Sequence, residues 1–302
     1  MQGLLLIDKP QGKTSFSAVA NVKWLAQEKR VGHTGTLDPM ATGVLPIFIG
    51  RATALSSLLL DGDKRYRATV RLGITTDTQD ITGKVLKESE VKVTKDDLIR
   101  ALEHFTGKIS QIPPMYSAIK KDGVRLYSLA REGKTVEVEP REIEIYSIEL
   151  VSDFTDNTFV IDTHVSKGTY IRALARDIGE YLGCGATLTE LRRTYAAGFS
   201  IEDCVRLDEL TRENVSRYIL NEEVAVKGFK EIQVTEKQAV RFTNGGQLGF
   251  DRLKNVDFSD GELLRVKLGD TLLGIGVADT QKQWVAIKCI IRCGVRTDHS
   301  PK

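Results

Sequence analysis

The chain opens with a short apolar run, GLLLID (Gly3–Asp8), that stops at a charged pair and reads as a strand. Lys9-Pro10-Gln11-Gly12 then makes a turn. Thr14 or Ser15 can cap a helix in which Phe16, Val19, Val22 and Leu25 recur at helical spacing. Val31 to Pro46 reads as a loop, and Leu45 to Gly50 as a strand or buried segment. Lys64 to Ile74 alternates, with Tyr66, Ala68, Val70 and Leu72 on one face and Arg65, Arg67, Thr69 and Arg71 on the other. Lys95 to Phe105 has the period of an amphipathic helix. Phe159 to Gly183 gives a strand, a glycine turn and a helix with Ile171, Leu174, Ile178 and Leu182 inward, ended by Gly183. Beyond about Lys227 the pattern changes to short alternating segments broken at Gly245-Gly246, Gly261 and Gly269-Asp270. This predicts a large unit over 1–230 and a small β domain over 231–302. Strands with hairpin-like turns mix with helices without regular alternation, so the fold class is α+β with a mixed, largely antiparallel sheet.

Composition narrows the function. In 302 residues, 41% are hydrophobic and 28% charged, which fits a folded globular chain and argues against disorder. A formal net charge of +2 is too small to signal nucleic-acid binding, so any such reading rests on local clusters. One cluster is Lys120, Lys121, Arg125, Arg131 and Lys134 around Tyr127, in a stretch from about Ile119 to Glu142. Glu132, Glu137 and Glu139 dilute it, and a solvated hairpin is the plain alternative. No apolar run approaches a membrane span and the N-terminus has no secretory pattern, so a cytoplasmic protein with no membrane partner is expected. The four cysteines form no disulfide framework. Cys289 and Cys293 are spaced C-x3-C with His299 downstream, but a fourth ligand is missing and no metal is expected.

Two loops raise the question of chemistry. Gly12-Lys13-Thr14 has the ending of a phosphate-binding loop, yet the position five before Gly12 is Ile7, so the glycine that would let the loop cradle phosphate is absent. VGHTGTLDPMATGVLP, Val31 to Pro46, places Asp38 before Pro39 among glycines. Pro39 restricts Asp38, and Gly32 and Gly35 permit unusual backbone angles, as a loop holding one carboxylate in a fixed pose requires. A turn or capping aspartate is the plain reading. His33 divides evenly between a functional and a loop-stabilising role. Arg172 lies in the first turn of its helix, where the dipole disfavours a cation, and a planar fork there suits a carboxylate from elsewhere. Tyr66 lies on an apolar face, where a core aromatic is the plain reading, but its neighbours Lys64, Arg65 and Arg67 make a basic patch with an aromatic of the kind that binds RNA, and Arg192-Arg193 adds to the basic inventory.

Together LLIDKPQGKTS, VGHTGTLDPMATGVLP, KRYRATVRLG with TDTQDITG, IPPMYSAIKKDGVRLYSLAREG, and SKGTYIRALARDIGEYLGCGA followed by LRR resemble the TruB family of tRNA pseudouridine synthases, in order over about residues 1–200. The resemblance implies a pseudouridine synthase fold with a small C-terminal PUA-like β domain. It makes Asp38 the catalytic aspartate and Tyr66 the active-site tyrosine that stacks on the target uracil. It makes Arg172 the partner of the aspartate, within the Tyr170–Arg172 segment. His33 would lie against the RNA and help hold the flipped nucleotide, and Leu191 would line the base pocket. Lys9 and Pro10 match a motif that supports the catalytic loop. The stretch at about 119–142 would be an RNA-gripping thumb, and the C-terminal domain would hold the acceptor end of tRNA.

The implied reaction is isomerisation of the T-arm uridine numbered 55. The N-glycosidic bond breaks, the base rotates and rejoins through C5. A carboxylate can attack C6 of the ring or C1′ of the sugar, or act as base in a glycal route, and the sequence leaves all three open. The base must be flipped out of RNA structure. No cofactor is expected. The partner is the tRNA T-arm stem-loop, with no obligatory protein partner, and the protein is expected to be a monomer. The short tail ending at Lys302 favours the stand-alone bacterial type. The rival is a non-catalytic RNA-binding or tRNA chaperone protein that kept the fold.

Overall fold

The computed structural model describes residues 1–117, 119–121, 123–134, 136–254 and 257–292, with the side chains of residues 120, 121, 125 and 131 outside that description. Its larger sheet has ten strands. They include β1 (Gly3–Lys9), β2 (Val31–His33), β3 (Thr42–Ile49), β4 (Lys64–Leu72), β5 (Gly107–Gln111), β6 (Arg141–Leu150), β7 (Thr158–Val165), β8 (Ala186–Ala196) and β9 (Val205–Arg206). The order is β9-β1-β3-β8-β4-β7-β6-β5, with β2 on β3 and a short strand, Phe199–Ser200, on β8. The β1–β9 and β3–β8 pairs are parallel and the others antiparallel, so the sheet is mixed as the sequence predicts.

β1 reads as a continuous apolar run because both faces are covered. Leu5 and Ile7 join the cluster under the helices, while Leu4 and Leu6 join Phe48, Leu55, Leu272 and Ile275 on the opposite face. Each fully buried leucine contributes about 1.5–3 kcal/mol of transfer free energy. The second cluster includes residues of the C-terminal unit, which therefore shares a core with the back of the large sheet.

Helix α1 (Ser15–Ala26) is capped by Thr14, whose hydroxyl accepts the Ser17 N–H at 2.9 Å. Val19, Val22 and Leu25 face the core as expected, but Phe16 is 79% exposed. The inward slot of the first turn belongs instead to Ser15, which is used for a polar contact described below. Helix α2 is Lys95–His104, and a short helix α3 (Leu126–Arg131) lies in the basic insertion. Helix α4 (Ile171–Tyr181) follows β7 through the Ser166–Tyr170 turn and leads through Gly183 into β8.

The C-terminal unit is a five-stranded sheet of β10 (Lys230–Gln233), β11 (Leu248–Gly249), β12 (Leu263–Leu268), β13 (Thr271–Asp279) and β14 (Trp284–Ile290), ordered β10-β12-β13-β14-β11. The alternating pattern locates its strands but conceals one helix, α5 (Glu236–Thr243), which starts at a reciprocal Thr235/Gln238 capping box. No helix among the described residues is long and apolar enough to cross a membrane.

Candidate active site

The stretch expected to be a loop is shorter than it reads. Val31–His33 and Thr42–Ile49 are paired strands, leaving residues 34–41 as the loop that carries Asp38. Gly32 sits in β2 without a positive φ, so its freedom is not used, whereas Gly35 has φ +72°. The loop is pinned from several sides. Ser15 Oγ donates to the Leu37 carbonyl at 3.1 Å and accepts the Leu37 N–H at 2.9 Å. The Pro39 carbonyl accepts the Gly12 N–H at 2.8 Å, and the Asp38 carbonyl accepts the Ala41 N–H at 3.1 Å.

Asp38 keeps 38% of its side chain exposed, and Arg172 Nε lies 2.9 Å from its Oδ2. Arg172 itself is buried. The guanidinium does not meet the carboxylate as a two-pronged fork, the geometry that arginine would favour for a lone carboxylate. Nη1 donates to the Thr78 carbonyl at 3.1 Å and Nη2 to the Tyr116 carbonyl at 2.8 Å, so three groups share one cation and fix its plane. A second carboxylate, Asp80 Oδ2, stands 3.9 Å from Nε. Asp80 is itself 5% exposed and accepts bonds from Thr78 Oγ1 and from the Thr82 N–H and hydroxyl. Sequence reasoning assigns Asp80 no role.

The floor beneath the loop is cationic. Lys9 is fully buried and donates from Nζ to the carbonyls of Pro10 at 2.8 Å and Lys13 at 2.7 Å. Burial pulls its pKa down to about 8, with the Asp38 charge partly opposing that and Arg193 adding to it. The expectation that Arg193 belongs to an RNA-facing basic set is overturned by the structure. It is 1% exposed and donates to the carbonyls of Gly35 at 2.8 Å and Val44 at 2.6 and 2.8 Å. Desolvation lowers its pKa, and the neighbouring Tyr66 phenol works against that. Gly43 is needed here, since a Cβ on it would lie 2.1 Å from the Arg193 carbonyl oxygen.

Tyr66 is 9% exposed on β4, in register with Arg193 of β8 and Thr163 of β7. The sheet separates it from the basic residues beside it in sequence. Arg65 and Arg67 project from the exposed face, and Arg67 is held by a two-pronged bond to Asp162 at 2.7 Å. Lys64 donates to the carbonyls of Leu60 and Gly62. The expected aromatic-and-basic RNA patch is therefore not one surface, because alternation sends the aromatic and the arginines to opposite sides. Leu191, 8% exposed on β8, pairs with Ala68 of β4. Arg192 forms an ion pair with Asp8 at 2.6 Å.

His33 Nδ1 and Gln79 Oε1 are buried without a hydrogen-bond partner among the described residues. Burial lowers the His33 pKa, with the Arg193 charge second, which keeps the ring neutral and able to offer a nitrogen to an uncharged partner. Tyr170, the N-cap of α4, has its phenol pKa raised by burial. In the insertion, the side chains of Lys120, Lys121, Arg125 and Arg131 lie outside the described residues, and exposed Lys134 pairs with Glu132 at 2.8 Å. Cys293 and His299 also lie outside them; among the described residues no group of three or more His, Cys, Asp or Glu side chains could hold a metal ion.

Residues 23–171 match the N-terminal domain of the TruB family of pseudouridylate synthases, and residues 172–226 match the tRNA pseudouridylate synthase B C-terminal domain. The chain is 42% identical over 281 residues to tRNA pseudouridine synthase B of Clostridium perfringens (strain 13 / Type A), covering 92% of this chain and 96% of that protein. It is 46% identical over 252 residues to tRNA pseudouridine synthase B of Pseudomonas fluorescens (strain Pf0-1), covering 81% and 82%. Among solved structures it is similar to a chain of a Cbf5–Nop10–Gar1 complex, with TM-score 0.73 and 27% identity over 96% of this chain and 85% of that one. It is also similar to a chain of an archaeal box H/ACA sRNP Nop10–Cbf5 complex, with TM-score 0.72 and 25% identity over 96% and 86%. These likenesses take in the C-terminal β unit, in keeping with a PUA-like domain. Set beside the pinned aspartate and its buried arginine, they establish that the chain belongs to the TruB family of pseudouridine synthases, isomerases that turn uridine into pseudouridine.

Proposed function

We propose that this enzyme isomerises the uridine at position 55, in the T-arm of tRNA, and that Asp38 is the group that acts on the nucleoside. The observation that carries the reading is a half-exposed carboxylate on a loop tied to the β1–α1 turn, α1 and β3, with a buried arginine 2.9 Å away. A protein that only bound RNA would gain nothing from a carboxylate facing phosphates, so the non-catalytic alternative is not favoured. Arg172 holds the aspartate in place, and its fixed plane leaves little freedom to reorganise during the reaction. Tyr66, in register with Arg193 on the neighbouring strand, presents a ring for stacking on the flipped uracil and stands as the group near which C5 loses its proton. His33 supplies an unpaired ring nitrogen to the extruded nucleotide, and Leu191 an apolar wall. Asp38 attacks C6 or C1′, or removes a proton in a glycal route; the geometry serves each.

The PUA-like unit offers a second contact for tRNA. A cavity of about 600 Å³ is lined by Lys237, Arg241, Arg252, Lys282 and Trp284 among others, with Lys282 Nζ 5.5 Å from the Trp284 ring centroid. Cations beside an aromatic face suit a phosphate next to an unpaired base. The protein acts as a monomer in the cytoplasm in this reading. Incubation with an unmodified tRNA transcript, followed by chemical mapping, tests it. One new pseudouridine in the T-arm is expected; no product with stoichiometric protein, or product only elsewhere, overturns the assignment.

A further inference from the structure

The segment QIPPMY, Gln111–Tyr116, leaves β5, leads into the basic insertion and lies along the first turns of α4. Three contacts strap it there. Gln111, 1% exposed, donates from Nε2 to the Tyr170 carbonyl at 3.2 Å and accepts the Tyr170 N–H on Oε1 at 2.9 Å. The Ile112 carbonyl accepts from Arg176 Nη2 at 3.1 Å, and the Tyr116 carbonyl accepts from Arg172 Nη2 at 2.8 Å. Pro113 and Pro114 between these anchors carry no N–H and fix their own φ, which stiffens the strap.

We infer that Gln111 is a positioning residue for the isomerisation: its carboxamide grips both backbone polar groups of Tyr170 and so sets where α4 starts and where Arg172 presents Nε to Asp38. This rests on the reading of Asp38 and Arg172 as the working pair. Tyr170 is the N-cap of α4 and makes no side-chain cap bond, so the carboxamide of Gln111 is the side chain that ties it down. Arg172 follows two residues later in a helical first turn and moves with it. The far end of Arg172 is already fixed by the Thr78 and Tyr116 carbonyls. A shift at Tyr170 is therefore passed along the stem of Arg172, turns the guanidinium about those two anchors and changes the Nε–Asp38 approach. The same strap connects the insertion to the reacting pair.

The test compares Gln111→Met and Gln111→Glu with the wild-type enzyme by single-turnover rate at saturating unmodified tRNA, by tRNA affinity and by pH profile. Gln111→Met keeps the shape and loses both bonds. Its rate is expected to fall roughly 10- to 100-fold, the scale of a misplacement near 1 Å, with affinity within about twofold. Gln111→Glu keeps the acceptor for the Tyr170 N–H and regains a donor for the carbonyl only when protonated. Its rate relative to wild type should recover as pH falls, which a general loss of stability would not produce. Rates within twofold of wild type in both variants overturn the inference, as do rate and affinity falling together without recovery at low pH. If Gln111→Met does not fold, the pH profile of Gln111→Glu decides alone. Arg172→Lys, measured alongside, separates the two levels: a normal rate there removes the reading of the pair. A slow Arg172→Lys with normal Gln111 variants removes only the role of Gln111.

Discussion

Around Asp38 the larger unit buries Lys9, Arg193, Arg172 and Asp80 to 0, 1, 5 and 5% exposure, whereas the C-terminal unit is packed from Ile232, Phe242, Leu264, Val266 and Val285. Arg265 and Lys267 of the smaller unit, with side chains 16 and 11% exposed, lie outside that apolar cluster; they share Glu223 of the larger unit at 2.6 and 2.9 Å and reach Glu231 at 3.4 and 3.6 Å. The two regions thus use opposite means with similar strands. Buried ions are poor sources of stability, because desolvation offsets much of their attraction, while apolar packing stabilises directly. The larger unit accepts ions inside because each fixes a part of the Asp38 environment: Lys9 the turn behind the loop, Arg193 the Gly35 and Val44 carbonyls, and Arg172 the carboxylate itself.

Substitutions on the two sides should therefore separate rate from stability. Arg172→Lys is expected to lower the single-turnover rate by roughly 100-fold or more with modest change in tRNA affinity, since an ammonium cannot serve a carboxylate and two carbonyls in one plane. A near-normal rate would dissolve the contrast. Leu264→Ala in the smaller unit should cost about 2–5 kcal/mol in urea unfolding while the folded enzyme keeps its rate at saturating tRNA within about threefold. A rate loss as large as that of Arg172→Lys would show that the β unit shapes the site.

The insertion offers a finer probe. Replacing Lys120, Lys121 and Arg125 with alanine should weaken tRNA binding and flatten its salt dependence by about one unit of slope for each phosphate no longer neutralised. An unchanged slope would return the segment to a solvated hairpin. The smallest effect concerns Lys9. Its pKa in the folded protein, about 8, lies below the ordinary 10.5, so between those values the unfolded chain binds more protons and stability rises with pH. Lys9→Met should remove that contribution, giving a shallower rise of unfolding free energy from pH 8 upward than the wild type shows. Parallel pH curves would mean that Lys9 stays charged inside.

Much of this arrangement is legible in the sequence, and the failures have identifiable causes. Alternation in KRYRATVRL places Tyr66 inward and the arginines outward, yet adjacency in sequence suggests one shared RNA patch. Arg193 reads as surface because arginines are rarely buried. The signal against that is its spacing of two from buried Leu191 on the same strand. The capping pattern Thr235–Gln238 announces α5 but is outweighed by the glycine-rich turns after it. Asp80 and Gln111 leave no periodic trace, since their roles arise from contacts with Arg172 and Tyr170, about ninety and sixty residues further along the chain. Asp38 stands out because Pro39 and the glycines mark a backbone held for a purpose, which local sequence does reveal.

The central claim, that Asp38 acts on the uridine, is tested most directly by Asp38→Asn. The protein is mixed at stoichiometric concentration with unmodified tRNA, and pseudouridine formation and tRNA affinity are followed on the same sample. The amide keeps the shape of the carboxylate and loses its nucleophilicity and basicity. Product formation should therefore fall by at least about 10⁴-fold, with affinity within about tenfold of wild type. Substantial pseudouridine in the T-arm from this variant would contradict the account.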